Sequence, residues 1–319
     1  MAVTDQLIRP KYAIYNGDSV EVLSGLPDAK VDMAIFSPPF ADLYCYSDHP
    51  QDMGNSRNYA EFFQHFAFLV NQLARIMKPG RNVCVHCMDI PAMKERDGFI
   101  GIKDFSGDLI RAFEAAGFIY HSRHVIWKDP LIEATRTKAL GLMHKQLQKD
   151  SIMSRAGLPD YLLTFRAPGV NAVPITHEEG LTSYAGKTNP AIGATGISKS
   201  HNIWRAYASP IWMDIRQTRT LNAKAAREPE DEKHICPLQL DVIERACVLW
   251  SNPGEVVLTP FMGVGSECYG AVINGRKAIG IELKTAYYNQ AVKNLADAEN
   301  HTEQELLSID PPLIEQLQD

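Results

Sequence analysis

Apolar positions cluster into short runs near the ends of the chain and lose their rhythm in the middle. Runs at 12–15, 31–36, 82–88, 118–127 and 160–165 have the length and composition of strands. Helical spacing separates several of them. Apolar residues at 62, 63, 66, 69, 70, 73 and 76 form one stripe, predicting a helix over 59–77 that stops at Lys78-Pro79-Gly80. Residues 19–23 predict a short helix after Gly17-Asp18, and 104–116 a longer one closed by Gly117. From 168 to 227 the chain is rich in Gly, Pro, Ser, Thr and Asn and shows little periodicity, as long functional loops do. Order returns with a helix over 238–250 and a Pro253-Gly254 turn into a strand at 256–258. A glycine-containing loop, a helix to 273 and a strand at 277–281 follow, with Glu282 at the tip. Strands alternating with helices predict an α/β fold on a mostly parallel sheet.

Composition narrows the class. Of 319 residues, 45% are hydrophobic and 22% charged, the balance of a globular enzyme. No run approaches the roughly 18 apolar residues of a membrane span, and residues 1–10 lack a signal-peptide core, so a cytoplasmic location without membrane contact is expected. The six cysteines follow no framework pattern, which fits a reducing compartment. The net charge of −6 is unevenly spread. Residues 187–227 carry seven Lys and Arg against Asp214 alone, whereas 295–319 carry seven acids and no Lys or Arg. A basic centre with an acidic tail suits a polyanionic partner in the middle of the chain.

Two segments carry candidate chemistry. The strand at 31–36 runs into Ser37-Pro38-Pro39-Phe40. Two prolines remove two backbone donors and stiffen the turn, setting a hydroxyl and a flat ring where open α/β sheets place ligands. The second segment is Thr259-Pro260-Phe261-Met262-Gly263-Val264-Gly265-Ser266, with Glu282 one strand later. Strand, glycine loop, helix, strand and acid is the arrangement that holds an adenosine-containing cofactor. The third glycine of a dinucleotide fingerprint is missing, which argues against a nicotinamide oxidoreductase. Cys84-Val85-His86-Cys87 supplies metal-ligand types, but no second Cys/His pair has the spacing to close a tetrahedral site, so a core strand and no metal are expected.

Together these segments resemble the permuted, β-type S-adenosylmethionine-dependent DNA methyltransferases that modify exocyclic amines. Ser37-Pro38-Pro39-Phe40 matches the family's catalytic motif, and Arg276-Lys277-Ala278-Ile279-Gly280-Ile281-Glu282 its second cofactor motif. Residues 17–27 look like the family's opening, and Pro237-Leu238-Gln239-Leu240 with Pro253-Gly254 like the approach to its cofactor strand. As a whole the chain looks most like solitary enzymes of phages and prophages. The resemblance implies a Rossmann-like fold with a seven-stranded sheet. It further implies a catalytic half at 1–128, an inserted target-recognition region at 129–232 with a returning core strand near 160–166, a cofactor half at 233–295 and an acidic tail at 296–319.

S-adenosyl-L-methionine is the implied cofactor, held by Asp18, Pro237, Thr259, Pro260, Phe261, Gly263, Gly265, Ser266 and Glu282. Ser37 and the Pro38 carbonyl would accept hydrogen bonds from the amine of a flipped base, beside Pro39, and Phe40 would stack on it. Duplex DNA is the implied partner, contacted by Lys199, Arg205, Arg216, Gln217, Arg219, Arg136 and Lys138. A second basic stretch that includes Arg123, Lys128, Lys145, Lys149 and Arg155 would follow the backbone. A leading Ser favours cytosine N4 over adenine N6. No cysteine follows a proline, which argues against carbon-5 methylation. Thr259 stands where the family usually has an acid, which leaves open a DNA-binding homologue of weak activity. An RNA methyltransferase is the more distant alternative, and a monomer or homodimer is expected.

Overall fold

In a computed structural model of the protein, the described residues are 3–40, 53, 56, 58–137, 141–152, 154–190, 192–222 and 237–307. The chain opens with β1 (Val3–Ile8), β2 (Tyr12–Gly17), α1 (Ser19–Ser24), β3 (Val31–Phe36), α2 (Tyr59–Ile76) and β4 (Met77–Cys87). Then come β5 (Ile90–Ala92), α3 (Lys94–Asp97), β6 (Gly101–Lys103), α4 (Phe105–Ala115), β7 (Ile119–Ile126), α5 (Pro130–Thr137), α6 (His144–Leu147) and β8 (Asp160–Arg166). The last third holds α7 (Gly196–Tyr207), β9 (Ile211–Trp212), α8 (Leu240–Trp250), β10 (Val256–Thr259), α9 (Ser266–Ile273), β11 (Lys277–Glu282) and α10 (Thr285–Leu307).

Among the described residues the main sheet has nine strands in the order β1-β2-β11-β10-β3-β4-β8-β7-β9, and β5 pairs only with β6. The pairs β2–β11, β11–β10, β10–β3 and β3–β4 are parallel, while β8 runs antiparallel between β4 and β7. Helices cover both faces. β3 is buried along its whole length, and its alternate residues enter different cores. Ala34 and Phe36 pack with Phe62, Phe66 and Leu73 of α2 and with Phe113 of α4. Met33 and Ile35 pack with Ile243 and Ala246 of α8, Ala271 of α9 and Ala291 of α10. Side-chain caps start three of the helices: the oxygens of Asp18, Asn58 and Asp104 accept from the amides of Glu21, Glu61 and Gly107.

The sheet has nine strands rather than the seven expected. The additions are edge strands with little pattern to find: β1 is mostly exposed, and β9 is two residues long. A second correction concerns the start of β4. The helix α2 stops at Ile76, where expected, but the strand expected from 82 already begins at Met77 and takes in Lys78-Pro79-Gly80. Gly80 makes this passage by adopting φ 73°, where a Cβ would lie 2.4 Å from the backbone nitrogen of Asn171. A third concerns the middle of the chain, which contains the three-turn helix α7. Only Ile203 and Tyr207 of that helix are buried, packed with Leu181, Val248 and Leu249, too thin a stripe to register as periodicity.

Candidate active site at the carboxyl ends of β3 and β10

The chain leaves β10 towards β11 on one side and β3 towards β4 on the other, so the sheet changes direction between two adjacent strands. Ligands of open α/β sheets sit in the crevice at such a point. Val257 and Leu258 pair with Met33 and Ala34, and both strands end within a few residues. Ser37-Pro38-Pro39-Phe40 and Thr259-Pro260-Phe261 therefore emerge side by side. Phe36 and Phe261 join them, with ring centroids 5.8 Å apart.

In the first turn Ser37, Pro39 and Phe40 are half-buried and Pro38 is buried. The Phe40 ring lies 6.0 Å from that of Phe105 at the start of α4, which fixes one edge of the turn. Behind Ser37 stands a chain of polar groups that the sequence did not reveal. Ser37 Oγ is 3.0 Å from His86 Nδ1, and His86 Nε2 is 3.2 Å from Asp160 Oδ2, a charge contact without hydrogen-bond alignment. Lys128 binds the other oxygen of Asp160. Burial pushes the Asp160 carboxyl up, but Lys128 and His86 outweigh it and hold the group down to about 2. The only sequence signal was position: His86 lies near the end of the strand beside β3, inside a segment that had drawn attention for its cysteines. Cys84 and Cys87 are fully buried, and burial pushes both thiols up. Among the described residues, no group of three or more His, Cys, Asp or Glu is placed to hold a metal.

The second loop has the features of a polar ligand cradle. Thr259 Oγ1 and Ser266 Oγ are buried and make no hydrogen bond, an unusual state for polar atoms in a fold. Gly263 has φ 53° and faces open space, whereas Gly265 has φ 93° and a Cβ there would lie 3.1 Å from that of Ala291. Glu282 Oε2 accepts from the Gly263 amide and Oε1 from the Lys284 amide, both at 2.8 Å. Ser19 donates to the carbonyl of Pro260 at 2.5 Å, which ties the loop to α1. The Asp18 side chain caps α1, and Pro237 stands half-buried at the entry to α8. Two orphaned hydroxyls, an open glycine and a carboxylate fit the hydroxyl-rich and amino-bearing S-adenosylmethionine.

The expected DNA contacts divide. Lys199 and Arg205 lie on α7 with no side-chain partner among the described residues, and Arg205 is exposed. Arg216 and Arg219 instead clamp the fully buried Asp241, and Arg219 also binds Glu244. Burial raises the Asp241 carboxyl, and the arginines more than offset it, so the group stays ionised. Gln217 donates to the Trp127 carbonyl and accepts from Gln239. The basic surplus of this segment is thus partly cancelled by acids of α8, which lie beyond it in sequence. Lys128 and Arg155 are likewise turned inward, to Asp160 and Glu133. Arg136 falls in α5, and Lys138 lies outside the described residues. No helix of the described residues is long and apolar enough to cross a membrane.

Comparison with known proteins agrees with this geometry. A family model described as DNA methylase (N6/N4 methyltransferase) matches residues 31–293. The orphan methyltransferase M.BamHII of Bacillus amyloliquefaciens is 35% identical over 280 residues, which is 84% of this chain and 90% of that protein. The type II methyltransferase M.BamHI of the same organism is 23% identical over 277 residues; the match takes in 85% of this chain but only 54% of the longer relative. The fold superposes on PvuII DNA methyltransferase (cytosine-N4-specific) with TM-score 0.56 at 16% identity, covering 88% of this chain and 86% of that one. It superposes with TM-score 0.60 on a Thermus thermophilus protein described as a DNA modification methylase and solved with S-adenosyl-L-methionine, at 22% identity over 89% of this chain and 95% of that one. With a model matched across both turns and the strands that carry them, the chain belongs to the DNA methylase family of N6/N4 methyltransferases.

Proposed function

We propose that this protein transfers a methyl group from S-adenosylmethionine to the exocyclic amine of a base flipped out of duplex DNA, with cytosine N4 favoured. The observation that carries this reading is the adjacency of the Ser37-Pro38-Pro39-Phe40 turn and the Thr259–Ser266 loop on neighbouring parallel strands. When bound, S-adenosylmethionine supplies an electrophilic methyl group on a sulfonium whose departure leaves a neutral thioether. The amine is a weak nucleophile because its lone pair is delocalised into the ring. Acceptors at Ser37 Oγ and the Pro38 carbonyl draw its hydrogens out of the ring plane and free that lone pair. Phe40, held by Phe105, gives the base a flat wall, and positioning supplies much of the rate. Thr259, Gly263, Gly265, Ser266 and Glu282 are the residues that would hold the cofactor.

Incubation with tritiated S-adenosylmethionine and duplex DNA, followed by digestion to nucleosides, tests the reading. Label on cytidine N4 is expected. Label on adenosine would overturn the cytosine preference, and cofactor binding without any transfer to DNA would overturn the enzyme.

Thr259 offers a sharper probe. It is buried, and its hydroxyl is unpartnered. Thr259→Asp is expected to tighten S-adenosylmethionine binding about tenfold, by placing a carboxylate against a cationic ligand. The same change should lower the melting temperature of the ligand-free protein, because the new carboxylate is then buried without a partner. Calorimetric titration and thermal melting read the two signs. Equal affinity in both proteins would show that position 259 does not face the cofactor's charge.

On the DNA side, α7 and the Asp241 clamp make opposite predictions. Lys199→Ala and Arg205→Ala are each expected to weaken duplex binding and reduce its logarithmic salt slope by about 1, with melting unchanged. Arg219→Ala is expected to lower stability by about 1–2 kcal/mol through loss of the Asp241 and Glu244 bonds, and to leave the salt slope alone. Fluorescence anisotropy at several salt concentrations separates them.

A further inference from the structure

Four residues from four segments meet behind the catalytic turn. Ser37 follows β3, His86 is near the end of β4, Asp160 begins β8 and Lys128 follows β7. The register makes the meeting unavoidable: Phe36 pairs with Val85, which puts the next residues, Ser37 and His86, beside each other. Asp160 pairs with Ile126 at the same edge, two residues before Lys128. His86 and Asp160 are both buried, whereas Ser37, in the turn at the crevice, is half-buried.

We propose that His86 and Asp160 are positioning residues that set Ser37 as a pure hydrogen-bond acceptor for the target amine and carry away the proton the amine releases. This rests on the methyltransfer reading above and extends it to the fate of that proton. Lys128 keeps Asp160 ionised, and that charge, 3.2 Å from Nε2 though outside hydrogen-bond alignment, favours the tautomer with the hydrogen on Nε2. Nδ1 is then the bare nitrogen, and at 3.0 Å it accepts the Ser37 hydroxyl hydrogen. With that hydrogen committed, the lone pairs of Ser37 Oγ face outward, towards an N–H donor.

As the amine lone pair forms the new carbon–nitrogen bond, the carbon–sulfur pair stays on sulfur and the nitrogen becomes acidic. Its N–H proton passes to Ser37 Oγ while the Ser37 proton passes to His86 Nδ1, leaving Ser37 neutral and His86 as imidazolium against Asp160. The imidazolium then shares the Asp160 carboxylate with Lys128. Its proton returns through Ser37 Oγ to water when the methylated base leaves. The logic is that of a hydroxyl–imidazole–carboxylate chain, here acting on the substrate's proton rather than making serine a nucleophile.

The test is a double-substitution cycle on single-turnover methyl transfer, with cofactor and duplex affinities measured separately. Ser37→Ala and His86→Gln are each expected to slow transfer roughly 100-fold while both dissociation constants hold within about twofold. The double variant should be no slower than Ser37→Ala alone, since His86 acts only through that hydroxyl. Multiplying losses, or a His86→Gln loss confined to affinity, would overturn the proposal. Nitrogen-15 NMR of the wild-type imidazole gives a readout that needs no variant: hydrogen on Nε2 with Nδ1 accepting is expected, and hydrogen on Nδ1 would overturn it. A wild-type protein that transfers no methyl group to DNA would instead sink the functional reading, so the two failures are distinct.

Discussion

Glu282→Ala is expected to weaken S-adenosylmethionine binding about 100-fold, measured by calorimetric titration of the folded protein. Glu282 closes β11 and already organises the neighbouring loop, with one oxygen on the Gly263 amide and the other on that of Lys284. Asn16 reinforces the strand end by donating to the Glu282 and Leu283 carbonyls. A carboxylate can accept at about four lone-pair sites, so one group can take ribose hydroxyls as well as amides. Hydrogen bonds to a charged acceptor contribute about 1.5–3 kcal/mol each, so losing the ligand bonds together with the loop brace costs about 3 kcal/mol of binding. Glu282→Gln keeps one acceptor oxygen and should lose only about tenfold. Affinity unchanged in both variants would remove Glu282 from the cofactor site.

What the sequence revealed, and what it hid, follows from how each element is stabilised. β3 and α2 were legible because they are buried along a face or on both faces, and burial writes itself into apolar spacing. The two site loops were legible because Pro and Gly mark backbone geometry locally. β1, β9 and α7 were hidden because each rests on few buried residues; Tyr207 of α7 and Trp212 of β9 also pack against the Arg245 side chain, a contact no local spacing marks. The Asp241 clamp and the Ser37–His86–Asp160 chain were hidden for another reason. A pairing between Ser37 and His86, or between Arg216 and Asp241, depends on strand register and helix docking, and no local pattern encodes it. Counting charges along residues 187–227 therefore overstated the surface available to DNA, because α8 supplies the missing acids.

Glu267→Gln is expected to stabilise the protein at alkaline pH by a few kcal/mol and to flatten the dependence of its stability on pH. Glu267 sits in the first turn of α9 and is only 5% exposed. Burial pushes its carboxyl up to about 8; a backbone hydrogen bond from its own amide opposes the shift, and the nearby Glu282 charge adds to it. In the unfolded chain the same group ionises near the ordinary carboxylate range. Between those two values the folded state holds a proton that the unfolded state has released. Stability therefore falls as pH rises across that window, and above about 8 the loss is complete, on the order of 5 kcal/mol. Glutamine has the shape of the protonated acid and cannot ionise, so the variant escapes the loss. Near pH 5 the two proteins should unfold at similar urea concentrations, and near pH 8.5 the variant should require clearly more. A gap that is the same at both pH values would show that the Glu267 carboxyl titrates as in the unfolded chain. The link to Glu282 gives a second check. Glu282→Ala removes one cause of the upward shift, so the loss attributable to Glu267 should become smaller and reach completion at a lower pH.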